Sequence, residues 1–530
     1  MKRILSLALA AVMMLSLAAC GSSKEDPAPA ASAAGSAAAS ETVSNEGRTL
    51  NMSVTAALTT LDPMNTNATA DKIVHFQYAD GLYRVNEATG EIRPLIAESW
   101  TISDDGLTYT FKIRENAYFA NGDQVKASDV KFSFEYAMAN SHTMTYYSSV
   151  DHFEAPDDTT FVMVLKTPDS AILSKTSSYN FVLSEREVTE AGDAFGTVMH
   201  SATCGAYKLS RVDGLDTYLE LEACEDYYLG APEIKKISFR PISDSSASLI
   251  AFKANELDWL MAPTASWTEL SGNAAYNTDL VTANHVSYMV MNYSNAELED
   301  DNLRKAIAYA IDKQACIDIA YDGLGEVANY MYNPEKNAGT VAHDTYYEYN
   351  PELAKEYLSK SSMPNGGKLS GALQCSAGGY YEKMAVVIQN NLLDIGLEIE
   401  VTPLQSSTNM STMRAYEYFM GVSGTSGNGD YGTITEHFTT SGRGVSYVVF
   451  DMIDGKFDWQ WIDGQFVEAN KLTTVEARSE IYGEIDSYVM DTATFIPIFH
   501  KQQPFAWTKD LNVPQNYSTY PIVYEWSWAA

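Results

Sequence analysis

The residues that could catalyse a reaction or bind a metal are spread through the 530-residue chain without the spacing that such chemistry needs. The sequence contains neither a G-x-S-x-G nucleophile turn nor an H-E-x-x-H zinc helix. With 69 acidic residues, carboxylate pairs arise by chance and indicate no glycosidase. The eight histidines are scattered: His75, His142, His152, His200, His285, His343, His437 and His500. We therefore expect no catalytic residue, no metal site, no cofactor and no enzymatic activity.

Two of the five cysteines, Cys204 and Cys224, flank a predicted β-hairpin. Strand-like residues lie on both sides of a turn at Asp213-Gly214. The cysteines are equidistant from Gly214, so an unbulged antiparallel hairpin would place them opposite each other, which suits a disulfide. Because one bulge would break that register, the residues leave both a disulfide and two free thiols open.

The pattern of secondary-structure elements is clearest between Leu95 and Asn140. Apolar residues first alternate with polar ones, as in a half-buried strand: Leu107, Tyr109, Phe111 and Ile113. After a turn at Asn121-Gly122, a buried stripe follows with helical spacing: Val130, Phe134, Ala137 and Met138. The pattern predicts a strand, a turn, a second strand and then a helix.

The same stretch resembles a known family. It contains SW, DG-x-TY-x-F-x-IR, F-x-NGD and then Ser-Asp-Val before an aromatic-rich helix. This ordered set resembles the signature of the family 5 extracellular solute-binding proteins, which are dipeptide-, oligopeptide- and nickel-binding receptors of ABC importers. The resemblance extends over nearly all of residues 48–530, with further matches at L-D-P (61–63), D-G-L-Y (80–83), T-C-G-A-Y (203–207) and LRKAIAYAID (303–312).

The resemblance implies an α/β fold of the two-lobed, periplasmic-binding-protein-like type (type II, large peptide-binding subclass), with a hinge and an interlobe cleft. Helices that alternate with strands, in a chain too long for one core, agree with this expectation. The expected division is a lipoprotein signal peptide (1–19), a lipidated cysteine with a flexible linker (20–47), lobe I (48–285, with an inserted subdomain at about 83–200), lobe II (286–499) and a return to lobe I (500–530).

The N-terminus has the pattern of a secretion signal. Lys2 and Arg3 precede an apolar run that ends in Leu17-Ala18-Ala19-Cys20, which resembles the bacterial lipobox. By that resemblance the signal is cleaved before Cys20, whose thiol carries a lipid. The following residues, 21–47, are rich in Ala, Ser, Pro and Gly and predict a flexible tether. We expect an extracytoplasmic protein that is held at the bacterial cell membrane by its lipid.

The net charge of −34 argues against one class of partner. A chain this acidic, without a basic patch, is repelled by phosphate backbones, so we expect no nucleic-acid binding. The 34 tyrosines suit a binding cleft, because tyrosine gives a large contact area with a polar tip. They suit an ordinary stable surface equally well, so composition alone does not decide between the two.

The resemblance also points to ligand-binding residues. In peptide-binding relatives an aspartate in the region equivalent to Met420–Phe438 binds the peptide α-amine, and here Asp430-Tyr431 lies among the glycines of that region. Asp430 could equally form only an Asx turn. The chain also lacks the Trp and Pro that accompany the relatives' aspartate. The other candidates are Asn292, at the end of a crossing strand, Arg443, as a carboxylate ligand, and Met64 and Asn65, which follow L-D-P.

The sequence therefore predicts a monomeric substrate-binding lipoprotein of an ABC importer. It would capture a small solute, with a di- or oligopeptide as the leading class, and deliver it to a membrane permease. A nickel chelate, an oligosaccharide or haem could occupy the same scaffold. The other functional classes that remain open are a secreted hydrolase and a surface sensor or adhesin.

Overall fold

A computed structural model describes residues 47–86, 91–331, 333–337, 339–341, 346–427, 429–434, 438–439, 458–472, 474–514 and 520–529. Residues 45–530 form one compact unit. No helix within these described ranges is long and apolar enough to cross a membrane.

The strands, in chain order, are β1 Thr49–Val54, β2 Tyr83–Val85, β3 Ile92–Pro94, β4 Ala97–Ile102, β5 Thr108–Ile113, β6 Val150–Asp157, β7 Thr160–Leu165, β8 Tyr207–Gly214, β9 Tyr218–Ala223, β10 Lys236–Pro241, β11 Trp259–Met261, β12 Tyr276–Met291, β13 Gly325–Val327, β14 Gly367–Ser376, β15 Leu397–Leu404, β16 Met420–Ser426, β17 Phe495–Thr508, β18 Leu511–Asn512 and β19 Ser527–Trp528. Eleven of them form one sheet in the order β15-β14-β16-β12-β17-β11-β1-β10-β9-β8, with β13 paired to β17. A separate four-stranded sheet has the order β4-β5-β7-β6.

The α-helices are α1 Thr69–Tyr78, α2 Ala127–Ala139, α3 Ile172–Thr176, α4 Glu185–Ala191, α5 Ser245–Lys253, α6 Trp267–Ser271, α7 Asp301–Ala310, α8 Lys313–Ala320, α9 Pro351–Lys360, α10 Gly379–Asp394, α11 Ser406–Arg414, α12 Trp459–Asn470 and α13 Val475–Asp491. Helices and strands thus alternate through most of the chain, as the sequence predicts.

Two large apolar cores are joined by two long strands. The first core takes residues from Leu50 to Trp259 and again from Phe505 to Trp528, and the second takes residues from Val286 to Phe499. β12 and β17 pair with each other along most of their length and run through both cores. The two cores define two lobes, and the crossing strands form the hinge between them. Lobe I here means the lobe with the first core, and lobe II the lobe with the second.

The signature stretch folds as its pattern predicts. In β5 the inward residues Tyr109, Phe111 and Ile113 are buried, and the residues between them are more exposed. Helix α2 then buries Val130, Phe134 and Ala137 against the same core. Both elements lie deep in lobe I, so this stretch builds the scaffold.

The disulfide between Cys204 and Cys224 is not formed, since both residues are free thiols. The β8–β9 hairpin is offset from the symmetric register by two residues, with Tyr207 opposite Ala223. The amide of Cys224 therefore donates to the carbonyl of Ala206 (2.9 Å), not to a residue beside Cys204. Two further register irregularities lie between this pair and the turn, where Gly214 faces Tyr218, so the hairpin is not centred on Gly214 and the two cysteines are not opposite each other.

Candidate ligand-binding cleft

Three strands of lobe II end at the same edge of the sheet. β14 runs parallel to β15 and to β16, so their last residues, Ser376, Leu404 and Ser426, share this edge. β12 runs antiparallel to β16 and brings His285 beside Ser426. Ligands of α/β proteins bind in the crevice outside the carboxyl ends of the strands. This edge adjoins the strands that cross to lobe I, and it is the candidate ligand-binding surface.

The hinge is a polar segment between two buried runs of β17. Lys501, Gln502 and Gln503 are half-buried, whereas the residues before them belong to one core and those after them to the other. Glu326 of β13 accepts hydrogen bonds from Gln502 Nε2 (2.9 Å) and from Thr282 Oγ1 of β12 (2.7 Å). The segment of β17 that crosses between the lobes is thus held mainly by side-chain hydrogen bonds. Such a segment suits a hinge motion, because these bonds can rearrange when the strand bends.

Four side chains meet at the sheet edge, and we refer to Tyr380, Tyr381, His285 and Lys501 as the floor cluster. Tyr380 and Tyr381 begin helix α10, with their ring centroids 4.1 Å apart. Lys501 Nζ lies 5.5 Å from the centroid of the Tyr380 ring. His285 and the Tyr381 hydroxyl lie over Gly424, where a Cβ would overlap both of them. All four side chains remain partly exposed.

The protein around the floor cluster disfavours positive charge. Burial lowers the pKa of Lys501 to about 8. Burial also lowers the pKa of His285 well below its usual value, and the charges of Lys501 and His500 act in the same direction. His500, whose Nδ1–H donates to the His285 carbonyl (3.2 Å), has its pKa lowered by burial to about 4. At neutral pH the cluster therefore carries one positive charge, on Lys501.

Asp430 is buried and already paired. Its Oδ2 accepts a hydrogen bond from Arg478 Nη2 (2.6 Å), and its Oδ1 accepts one from the Gly432 amide (2.7 Å). The side chains of Arg478 and Asp430 are only 4% and 7% exposed. Burial raises the pKa of Asp430, and the charge of Arg478 opposes that rise. The amine-capture role of Asp430 stays a prediction, and the Arg478 ion pair disfavours it, because the carboxylate charge is already balanced.

The Asp430–Arg478 pair lies where the two lobes touch. A Cβ on Gly432 would come within 2.8 Å of Ala171 Cβ in lobe I. Beside it, Lys175 Nζ contacts both oxygens of Asp169, at 3.0 and 2.9 Å. We call these two ion pairs, Lys175–Asp169 of lobe I and Arg478–Asp430 of lobe II, the interlobe seam. A hydrogen bond from Ser170 Oγ to Asn470 Oδ1 (3.2 Å) crosses the same contact.

Two predicted ligand residues, Tyr431 and Met64, lie inside the cores. Tyr431 is fully buried in the lobe II core, where its ring packs at a tilt against that of Tyr482 (centroids 4.9 Å apart) and its hydroxyl donates to Asp486 Oδ1 (3.1 Å). Met64 is fully buried in the lobe I core. The burial of these two side chains disfavours their predicted ligand role, which stays a prediction.

Asn292 lies at the end of lobe II that is opposite to the candidate ligand-binding surface. It follows β12 beside Phe419, at the start of β16, whereas the candidate surface is at the end of β16. Its Nδ2 donates to the carbonyls of Tyr416 (2.8 Å) and Tyr418 (2.6 Å), and its Oδ1 accepts from Ser294. Its hydrogen-bonding capacity is used to fix the local backbone, which disfavours the predicted ligand role, and that role stays a prediction.

Asn65 is exposed on lobe I, where its Oδ1 accepts from Asn140 Nδ2 at 3.4 Å, and its ligand role stays a prediction. Arg443 and Cys20 lie outside the described residues. The sequence interpretation did not find Lys501, Tyr380 or Arg478. A signal for Lys501 existed: the polar run Lys501–Gln503 interrupts an apolar strand. Within the part of the chain that the structure describes, no group of three His, Cys, Asp or Glu residues could hold a metal.

Solved structures share this architecture and define its class. The chain superposes with a TM-score of 0.80 on NikA from Brucella suis in complex with Fe(III)-EDTA, at 20% identity over 91% of this chain and 100% of that one. It superposes at 0.75 on DppA from Helicobacter pylori in complex with the peptide STSA, at 20% identity over 91% and 98% of the two chains. The fold is that of a type II periplasmic binding protein.

The family follows from the sequence match. Residues 91–444 match the model of the bacterial extracellular solute-binding proteins, family 5 Middle. The chain belongs to this family of extracellular solute-binding proteins. Among its relatives is the glutathione-binding protein GsiB of Escherichia coli O6:K15:H31 (strain 536 / UPEC), 27% identical over 360 residues, which are 66% of this chain and 68% of the relative. GsiB of Salmonella paratyphi A (strain ATCC 9150 / SARB42) is 23% identical over 473 residues, which are 86% and 89% of the two chains.

Proposed function

We propose that the protein is the substrate-binding component of an ABC importer, which captures a small solute between its lobes and delivers it to a membrane permease as a monomer. The family and the two-lobed fold support this function. The observation that carries it is the floor cluster, a partly exposed group of polar and aromatic side chains at the strand edge beside the hinge. Clefts of this kind, between lobes and lined by a few convergent polar groups, are the usual places for small ligands.

Closure of the lobes is the proposed mechanism. The crossing strands β12 and β17 bend, and a ligand that contacts both lobes stabilises the closed form in proportion to its differential affinity for that form. Contacts that join the lobes in this structure include Ser170 Oγ to Asn470 Oδ1 and, near the hinge, Thr264 Oγ1 to Asp322 Oδ2 (2.6 Å), and contacts of this kind would stabilise the closed form. The permease would recognise the closed form, which brings surfaces of both lobes into one fixed arrangement.

The proposed ligand class is a di- or oligopeptide. Several relatives are named for such ligands: the GsiB proteins for glutathione, and DppA of Helicobacter pylori for its complex with the peptide STSA. The alternative ligand class is a metal chelate, because NikA of Brucella suis, which has the same fold, is in complex with Fe(III)-EDTA. The boundary that we propose between lobe I and lobe II is at residues 285/286, with the return at 499/500, close to where core membership changes.

Thermal unfolding with a peptide library tests the ligand class. A ligand that binds only the folded protein adds about 2.7 kcal/mol of stability at a concentration 100-fold above its Kd. We expect members of a library of di- to hexapeptides to raise the Tm in a saturable manner. If no peptide raises the Tm while metal chelates or sugar oligomers do, the ligand class is wrong although the binding function stands.

We also propose that Cys20 carries a lipid that anchors the protein outside the cytoplasm. The lipobox-like Leu17–Cys20 and the tether-like composition of residues 21–47 support the anchor. Cys20→Ser is expected to move the protein from the membrane fraction to the soluble fraction and to abolish incorporation of a labelled fatty acid. Cys375→Ser, which alters a buried thiol, is the matched control and should leave both unchanged. Labelling that persists in Cys20→Ser would exclude this anchor.

A further inference from the structure

Among the residues that the structure describes, none is a counter-ion for Lys501. Within the described residues no carboxylate lies within 4 Å of its ammonium group, and its contact is the face of Tyr380. Other enclosed cations of the protein are compensated: Arg478 by Asp430, Lys175 by Asp169, and Lys313 by the carbonyls of Ala328 (2.9 Å) and Tyr346 (3.2 Å). Lys501 is thus an enclosed but reachable cation whose hydrogen-bonding capacity is unused.

The surroundings of Lys501 make this charge costly while the site is empty. Burial alone lowers its pKa to about 8, with no contribution from a neighbouring charge. A pKa of about 8 still leaves the amine largely protonated at pH 7. An anion brought beside this ammonium would therefore gain a charge-assisted hydrogen bond in a region of low dielectric.

The groups beside Lys501 add no second positive charge to the site. We therefore expect the part of the ligand that binds here to carry a single negative charge. His285, whose pKa burial holds well below its usual value, stays neutral. At the N-terminus of α10 the amide of the N-cap residue Gly378 donates to Glu382 Oε2 (2.6 Å), so a carboxylate of the protein already lies at this helix end. The aromatic rings of Tyr380 and Tyr381 provide apolar surface beside the ammonium.

Among the described residues of the glycine-rich loop, Asp430 is a candidate for binding a ligand ammonium, but its charge is balanced by Arg478. In the part of lobe II that the structure describes, the ligand therefore meets an uncompensated cation at Lys501 and a compensated anion at Asp430.

We propose that the floor cluster binds a carboxylate of the ligand through Lys501, with Tyr380 and Tyr381 packing on the adjoining part of the solute, and that a free amino group on the ligand is not required. This inference rests on the proposed binding function and names the chemical class of its ligand: a solute with a free carboxylate, such as a peptide with an open C-terminus or an N-acylated amino acid.

A matched ligand panel tests the inference. Each peptide is offered in four forms (free, N-acetylated, C-amidated, and blocked at both ends), together with the simple carboxylates N-acetylglycine and acetate, and the Kd is measured by thermal unfolding and calorimetry. We expect N-acetylation to leave the Kd within a few-fold, and C-amidation to weaken binding by about ten-fold or more, as for loss of one charge-assisted hydrogen bond. Equal binding of free and amidated forms, or no response to any carboxylate, would overturn the inference.

Substitutions distinguish the contribution of Lys501 to the Kd from that of the rest of the cleft. Lys501→Gln should weaken the carboxylate forms by about ten-fold or more and leave the amidated forms unchanged, because it removes one charge. Lys383→Gln is the control: Lys383 is exposed on helix α10, which also carries Tyr380 and Tyr381, and its replacement should change neither Kd. An unchanged Kd in Lys501→Gln would contradict the assignment. If N-acetylglycine binds through Lys501 and no peptide binds, the peptide proposal fails alone; if peptides bind equally well when amidated, the Lys501 proposal fails alone.

Discussion

Replacement of Arg478 by alanine is expected to lower the free energy of unfolding by about 3–5 kcal/mol, the cost of leaving one partner of a buried ion pair without the other. Both side chains are nearly inaccessible, and their contact is a direct 2.6 Å hydrogen bond. The change would also leave Asp430 charged next to the apolar packing of Tyr431 and Tyr482. Urea unfolding, followed by circular dichroism, measures this loss.

Two control variants test whether the loss of stability in Arg478→Ala comes from an unpaired buried charge. Lys126→Ala breaks a surface pair with Asp158, whose side chains are 47% and 72% exposed, and should cost less than about 1 kcal/mol. The double replacement Asp430→Leu with Arg478→Met, which removes both charges, should recover most of the loss because no unpaired charge remains. A loss below about 1 kcal/mol in Arg478→Ala would mean that the pair is not buried in solution.

Gly205→Ala is expected to destabilise the protein by about 1–3 kcal/mol or more, because the added methyl group has no free space. Its Cβ would lie 2.6 Å from the Tyr78 carbonyl oxygen and 2.9 Å from the Ala79 amide nitrogen. These are backbone atoms at the end of helix α1, and they cannot move aside as a flexible side chain can. The same urea unfolding measurement applies.

Gly464→Ala is the matched control for this prediction. Gly464 lies in helix α12, and a Cβ there would meet nothing within 4 Å. The substitution should stabilise the protein by about 0.5–1 kcal/mol, because alanine loses less backbone entropy in a helix. If Gly205→Ala were as stable as Gly464→Ala, the close approach of residues 204–206 to helix α1 would be wrong.

The sequence predicts the scaffold well because scaffold signals are local. Alternation in 107–113 needs only neighbouring residues to define a half-buried strand, and Tyr109, Phe111 and Ile113 are buried as expected. The T-C-G-A-Y match has a physical reason in Gly205, which passes the backbone of helix α1. The sequence left the Cys204–Cys224 disulfide open, and it is not formed because the register of the β8–β9 hairpin, which symmetry about a turn does not determine, does not place the two cysteines opposite each other.

The site was harder to predict because its chemistry depends on pairing between distant residues. Asp430 is conspicuous among glycines, but its partner Arg478 comes 48 residues later, on helix α13. Lys501, Tyr380 and His285 come from three separate elements, and nothing local in the sequence indicates that Lys501 lacks a counter-ion. Met64 and Tyr431 were named for their neighbours in the chain, whereas their large apolar or aromatic side chains are used in the cores.

Native mass spectrometry of the protein purified from its own host, followed by denaturation and analysis of what is released, tests the binding function itself. The protein should carry a non-covalent small solute with a free carboxylate, and readdition of that solute should raise the Tm of the ligand-free protein. The solute should be lost from Lys501→Gln and kept by Lys383→Gln. If the purified protein carries no solute, and if no solute in the panel raises its Tm, the proposal that this chain is a solute receptor is contradicted.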